Sequence, residues 1–255
     1  MKDPVTSLRL FFVVLGVLTL LGTARPARAD GLEVDLEGGV AAASANVVRI
    51  PGDGGTRLSL VDDLSTKAAP AFRVRVGYRF AERHLVTALY APLTVLARGT
   101  LDRDVSFEGR TFPAGSAALA VYRFDSYRLT YRYDLLRREE LELGVGLTGK
   151  IRDAEVSLYG VEASRKTNTG FVPLVNLHFA WRPGGGVLGL LLDADALAAP
   201  QGRAEDILLA GTWAVREGVT VRAGYRTVEG GSNVDEVYSF TWLHYGVLGV
   251  ELRFP

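Results

Sequence analysis

Apolar side chains recur at every second position of this chain, run after run, and no other feature restricts its fold as much. In Phe72-Arg73-Val74-Arg75-Val76-Gly77-Tyr78-Arg79-Phe80 the even positions are apolar and the odd ones are Arg or Gly. Leu141, Leu143, Val145, Leu147 and Ile151 alternate with Glu142, Gly144, Gly146, Thr148 and Lys150. Val219 to Thr227 repeats the pattern, with Arg222, Gly224 and Arg226 on the second face. The last stretch, Val247 to Phe254, reads V-L-G-V-E-L-R-F and carries its apolar set (Leu248, Val250, Leu252) through to the aromatic Phe254. Successive residues of a strand point to opposite faces, so each run has one oily face and one polar face. A soluble strand shows this once or twice. Its recurrence through most of the chain requires a sheet that is oily along one whole side.

About ten such runs can be counted, near 31–47, 69–80, 84–99, 116–135, 140–155, 169–182, 186–198, 204–215, 219–229 and 237–254. Short connections (Ala81-Glu82-Arg83, Leu136 to Glu139, Pro183-Gly184-Gly185, Arg216-Glu217-Gly218) alternate with longer ones near 48–68, 100–115, 156–168, 199–203 and 230–236. Within lipid every backbone polar group must be paired, which leaves helices and closed barrels as spanning structures. After residue 30 no segment offers the ~18 uninterrupted apolar residues of a spanning helix. An even strand count, alternating short and long connections and both termini on the short-turn side are the marks of an outer-membrane barrel. The expected fold is therefore all-β: an antiparallel transmembrane up-and-down β-barrel of about ten strands, with eight as the alternative count.

The N-terminus has the layout of a signal peptide. Lys2 and Arg9 supply a basic start, Leu10 to Leu21 an apolar stretch, and Ala27-Arg28-Ala29 a small-x-small cleavage site before Asp30. The expected organisation is a signal peptide over 1–29 and a barrel over 30–255, located in the outer membrane of a Gram-negative bacterium. With no cysteine, disulfide staples play no part in the fold. The 29 acidic and 29 basic residues cancel, which removes the basic excess that nucleic-acid binding needs.

Tyr78, Phe80, Tyr133, Trp181, Trp213 and Phe254 have apolar-face parity and lie close to short turns or the C-terminus. They form the expected lower aromatic girdle, since amphipathic rings suit the headgroup zone, with Tyr238, Phe240 and Trp242 in an upper one. The opposite face carries Glu33, Asp35, Glu37, Arg73, Arg75, Arg79, Arg128, Arg132, Glu142, Lys150, Arg152, Asp193, Asp195, Arg222, Arg226, Glu251 and Arg253. In a lumen this narrow, unpaired charge is costly, so ion-pair ladders are expected, with Glu33, Asp35 and Glu37 facing Arg73, Arg75 and Arg79. Such a lining either holds the interior together or borders a polar conduit. One run breaks parity: Tyr122 and Phe124 are even while Tyr127, Leu129, Tyr131 and Tyr133 are odd, which predicts a β-bulge near Asp125-Ser126. Pro92 lacks a ladder donor and belongs at a bend or lightly paired site.

The residues that could carry chemistry are few. His84 is expected beside a short turn, His178 in the lumen and His244 on the apolar face near the outer interface. Spread so, they predict no shared metal site. Barrel lipid A deacylases carry a late His-x-Ser pair, and here the string is His244-Tyr245-Gly246, without the serine. Barrel aspartyl proteases use paired Asp and Asp–His groups. Asp193 and Asp195 share a face, but no histidine is expected at their level. Val228 to Glu236 is acidic and glycine-rich, yet matches no defined calcium loop and reads as a hairpin. Gly184 to Gly186 precedes no helix, so it is no phosphate cradle.

From about residue 120 the chain resembles a group of uncharacterised Gram-negative outer-membrane β-barrel proteins. The strings that carry the likeness are Tyr131-Arg132-Tyr133-Asp134-Leu135, Gly149 to Ala154, Ala199-Pro200-Gln201-Gly202-Arg203-Ala204-Glu205-Asp206 and Gly224-Tyr225-Arg226 through Phe240. The resemblance implies a membrane barrel and carries no catalytic residue. Pro255, after Phe254, departs from the usual aromatic ending that the barrel-assembly machinery reads. The expected protein is a non-enzymatic monomer without cofactor, a structural barrel or a narrow pore for ions and small polar solutes. Its expected partners are outer-membrane lipid and the assembly machinery. A lipid- or peptide-processing enzyme and an adhesion module using the loops at 48–68 and 100–115 are the alternatives.

Overall fold

A computed structural model describes residues 31–199 and 202–254. The signal-peptide expectation (Lys2 to Asp30), Pro200, Gln201 and Pro255 lie outside the described residues. Ten strands close into one antiparallel ring: β1 (Gly31–Arg49), β2 (Ala69–Phe80), β3 in two segments (His84–Ala91 and Thr94–Thr100), β4 (Ala117–Arg137), β5 (Leu141–Tyr159), β6 (Ala163–Trp181), β7 (Leu188–Ala199), β8 (Gly202–Arg216), β9 (Val219–Val234) and β10 (Val237–Phe254). Each strand pairs with the next, and β1 closes the ring on β10 from Leu32↔Phe254 to Arg49↔Tyr238. Closure leaves no sheet edge within lipid, which is what an all-strand spanning structure needs.

The two-residue period places the faces. Along β4, β5 and β6, the outward residues from Tyr127 to Leu135, Leu141 to Ile151 and Phe171 to Trp181 are apolar or aromatic. Each band matches the ~9–11 residues a tilted spanning strand requires. Just beyond, Arg123 bonds Asp125 at 2.7 Å and Asp153 at 2.9 Å on the barrel's outside, marking the outer limit of the oily band. Tyr78, Phe80, Tyr133, Trp181, Trp213 and Phe254 have outward parity at the other end. There the ring of His84 stacks on Phe80 and meets Tyr133 edge-on, each with centroids 5.1 Å apart.

Three sequence expectations need correction. The register of β4 against β5 runs unbroken through Asp125↔Asp153 and Ser126↔Arg152, so there is no bulge at Asp125-Ser126. Tyr122 and Phe124 instead keep their inward parity, because above the membrane the interior itself is apolar. The connections read as long at 156–168 and 230–236 are mostly strand. β5 reaches Tyr159 before β6 starts at Ala163, and β9 reaches Val234 before β10 starts at Val237. Polar residues on both faces disguised these stretches, since strands standing clear of the membrane meet water on the outside. At Pro92 the strand is interrupted, but Leu93 N–H donates to Phe124 O at 3.0 Å and Phe124 N–H to Leu93 O at 2.8 Å, keeping β3 in register with β4. Pro92 lies just past the last β2–β3 pair, Val74↔Tyr90, where a missing donor costs little.

The two long connections, 50–68 and 101–116, fold over the outer mouth as a cap. Leu58–Ser59 pairs with β1, Ser65–Thr66 with β3, and Val105–Phe107 forms a hairpin with Arg110–Phe112. Ile50, Leu58, Leu60, Leu64, Phe107 and Phe112 are buried in one apolar cluster with Leu93, Val95, Ala120, Tyr122, Val156 and Leu158 of the strands. Burial of each such large side chain stabilises by roughly 1.5–3 kcal/mol.

Candidate functional site

The membrane-level lumen is packed with charge, held mostly across the barrel rather than along neighbouring strands. Asp206 on β8 accepts from Arg73 of β2 at 2.9 Å, Arg128 of β4 at 2.5 Å and Arg226 of β9. Glu37 of β1 accepts from Arg226 at 2.8 Å and Arg222 at 2.8 Å, with Arg73 at 3.7 Å. Asp195 of β7 takes Arg128 at 2.7 Å, Thr148 at 2.8 Å and Asn176 at 2.9 Å. Towards the termini, Arg79 joins Glu33 (2.8 Å) to Asp134, and Arg132 bonds Asp134 at 2.8 Å. Arg253 pairs with Glu251 at 2.5 Å and reaches Glu142 at 3.5 Å. Of the three β1–β2 pairs read from the sequence, Glu33–Arg79 and Glu37–Arg73 are in contact. Asp35 and Arg75 are register partners, but Arg75 reaches across to Asp193 (2.7 Å) and Asp35 takes Arg222 (2.9 Å). Asp134 and Asp206, both fully enclosed, were not singled out, although each has polar parity in its run. Voids of about 40 and 50 Å³ remain in this layer, each near the size of a single water or two.

Two basic residues differ from the rest. Lys150 and Arg152 lie two apart on the inward face of β5, and neither makes an ion pair among the described residues. Lys150 is 4% exposed, with its ammonium 4.9 Å from the Phe124 ring centre. Its register partner on β4 is Arg128, another cation. Arg152 bonds the side chain of Asn168 and its Nε is buried without a partner. Both line a cavity of about 410 Å³ between the ionic layer and the cap, whose other walls include Tyr122, Phe171, Val172, Leu197 and Leu243. The remaining charges on its wall, Arg203 and Glu229, pair with each other. Gly170 is the register partner of Arg152, and a Cβ added there would meet the guanidinium at an ordinary contact distance of 3.6 Å.

The barrel wall is incomplete beside this cavity. Pairing of β6 with β7 stops at Val175↔Ala196; Pro173, next in line on that face, has no N–H to donate. β7 ends at Ala199, whereas β6 continues outward to Ala163. Leu197 has inward parity, yet is 38% exposed, and Phe171 beside it faces lipid at 70% exposure.

The histidines are separated in space. His84 Nδ1 lies 2.8 Å from Tyr131 Oη beside the first turn, and His178 is buried in the lumen with no hydrogen-bond partner on either ring nitrogen among the described residues. His178 is the register partner of Asp193, so the expectation of no histidine at that level is corrected. Asp193 and Asp195 nonetheless lie deep in the lumen, each bound to an arginine, and not at the outer rim. His244 does have a serine neighbour, from the other end of the chain. β1 skips a register at Ser44, between Ala43↔Leu243 and Ala45↔Trp242, and the bulge sets Ser44 Oγ 2.7 Å from His244 Nε2. Tyr225 Oη lies 2.5 Å from Nδ1 of the same ring, on the lipid-facing surface. Only the paired strands bring these residues together, so no sequence motif announces them. The loop at 228–236 is the tip of the β9–β10 hairpin.

No family model and no curated protein matches the sequence. The outer membrane protease OmpT from Escherichia coli is similar in structure, with a TM-score of 0.56 at 11% identity over 91% of this chain and 99% of that one. The Yersinia pestis attachment invasion locus protein Ail gives 0.37 at 12% identity, over 87% and 98% of the two chains. The translocator domain of the autotransporter NalP from Neisseria meningitidis gives 0.43 at 13% identity, over 97% and 96%. At such identities the likeness concerns the fold, which is that of the ten-stranded outer-membrane β-barrel.

Proposed function

We propose that this chain is a non-enzymatic, monomeric barrel of the Gram-negative outer membrane, sealed to solute flow, that works as a binding protein at its outer rim. Outer-membrane lipid and the barrel-assembly machinery are its proposed partners, and a cleaved signal peptide its proposed route of export. The observation that carries the reading is the double closure of the lumen. Arginine–carboxylate pairs of 2.5–2.9 Å cross it at membrane level, and the apolar cap fills its mouth. A narrow polar conduit would need those ionic bridges to part and the cap to lift together. Planar-bilayer recordings of the refolded protein are expected to show flat traces; discrete, salt-dependent steps would overturn the reading.

A second reading follows from Ser44, His244 and Tyr225. A serine hydroxyl within reach of an imidazole that a third group orients is the arrangement of nucleophilic acyl transfer. Its place at the outer interface would suit a lipid ester. Tyr225 stands where a carboxylate would stabilise the imidazolium, which makes hydrolysis the weaker reading. Lipid A from cells carrying the wild-type gene or Ser44→Ala decides it: on the hydrolase reading an acyl chain is lost only with the wild type, and identical profiles end it.

A further inference from the structure

We infer that the side cavity between β5, β6 and β8 binds a single-chain amphiphile, its anionic head (carboxylate or phosphate) on Lys150 and Arg152 and its chain leaving between β6 and β7. The inference rests on the reading of a sealed barrel that works at its rim. A buried ammonium with no counter-ion is expensive, so such a group pairs, gives up its proton or serves a ligand that restores the charge. Among the described residues Lys150 has only the Phe124 ring, an attraction that neutralises no charge. Asp206, in the network beneath, already serves Arg73, Arg128 and Arg226 and makes no ion pair with Lys150 among the described residues. Arg152 next along the same face adds a second charge and an unpartnered N–H. An oxyanion is the complement of this pair, and Arg suits carboxylate and phosphate alike.

The rest of the cavity selects the tail. Its volume, about 410 Å³, falls in the ~300–1,000 Å³ range of small-molecule sites. Tyr122, Val172, Leu197 and Leu243 give it an apolar wall. The gap above Val175↔Ala196 opens towards Phe171, at the outer limit of the oily band, so a chain can run from the cavity into the bilayer without crossing water. A sugar or a peptide would gain nothing from that exit.

Native mass spectrometry of the full barrel, released from non-ionic micelles, tests this with dodecanoate, dodecyl phosphate and dodecanol as probes. One equivalent of anionic probe is expected on the wild type, held at least tenfold more weakly by Lys150→Met and Arg152→Met, and dodecanol is expected not to be retained. If one anion is held tenfold better, it identifies the head; equal retention assigns the site to oxyanions in general. Equal adducts on wild type and both variants, or dodecanol retained as well as the anions, overturn the inference. Leu197→Trp fills the cavity without touching a charge and should also lose the adduct, so a misfolded Lys150→Met does not shield the idea. Heat-modifiable gel mobility reports the fold of each variant. Channel steps in a bilayer would sink the sealed-barrel reading while leaving these adduct ratios to stand or fall separately.

Discussion

The two halves of this barrel solve the same packing problem with opposite chemistry. At membrane level the lumen is filled by arginines and carboxylates that tie strands on opposite sides together, as Asp206 ties β8 to β2, β4 and β9. Above the membrane the interior is closed by Ile50, Leu58, Phe107 and Phe112 of the cap against Leu93, Ala120 and Leu158 of the strands. The reason lies outside the barrel. Within lipid the oily residues are spent on the exterior, so the two-residue period leaves the inside polar. Beyond the bilayer the exterior must meet water, as Arg123, Asp153 and Glu155 do, and the same period returns apolar residues to the inside. The ionic half gains direction and shape from its bonds; the apolar half gains its stability without direction. The halves should therefore fail in different ways.

The largest effect is expected in the ionic half. Asp206→Asn keeps the shape but takes the shared anion from three buried arginines. Breaking a buried ion pair costs about 3–5 kcal/mol, and this change disturbs several at once. Urea unfolding in micelles, followed by tryptophan fluorescence and gel mobility, should show the whole barrel destabilised by at least that much. Replacing both partners with apolar residues, as in Arg75→Met with Asp193→Leu, should cost less than either single change. A double variant as unstable as the worse single one would mean that the pair holds the barrel together on its own account.

A smaller and local effect is expected in the apolar half. Phe112→Ala empties a fully buried site in the cap and should cost about 3 kcal/mol. Arg57 and Arg103 lie in the cap loops, and Arg103 is well exposed, so trypsin should cut there faster in the variant. The barrel should keep its heat-modifiable mobility. Loss of that mobility would mean that cap and barrel unfold as one unit, removing the distinction drawn between them.

How much of this is legible in the sequence divides along the same line. All ten strands show in the two-residue period, because within lipid the outward face must be oily at nearly every step. Above the membrane that constraint lapses, and Ser164 to Asn168 looks like loop although it is strand. Tyr122 breaks parity only if the inside is taken as polar throughout. Ile50, Leu58, Leu60 and Leu64 lie in a stretch read as connection, and their shared core depends on contacts with β3 and β4 that no local pattern encodes. The site residues divide likewise. Lys150 and Arg152 show their inward parity in the sequence, but their lack of counter-ions exists only once Asp206 has gone to three arginines. Ser44 and His244 lie at opposite ends of the chain and meet through one bulge.

The smallest effect sharpens the comparison inside the cap, where Arg103 and Asp63 form one of several charged contacts around the apolar cluster. The Arg103 guanidinium bonds Asp63 at 2.8 Å, and Ser59 N–H donates to the same carboxyl at 2.8 Å. The Arg103 hydrogen bond holds the Asp63 carboxyl below its ordinary value of 3.8, against the opposing effect of burial. A carboxyl with a depressed folded-state value stabilises the fold above its unfolded value and loses that contribution as pH falls through the folded one. The cap should thus hold down to about pH 4 and loosen below it. With Arg103 well exposed, solvent screening keeps the contribution under about 1 kcal/mol. Pepsin cleavage of the cap, measured stepwise from pH 5 to pH 2, should accelerate in the wild type beyond the enzyme's own pH profile. In Asp63→Asn it should follow that profile alone, starting from a slightly higher rate. Acceleration in both would place the acid-sensitive contact elsewhere, among the buried carboxylates of the ionic half, and the two halves would then share one response to pH.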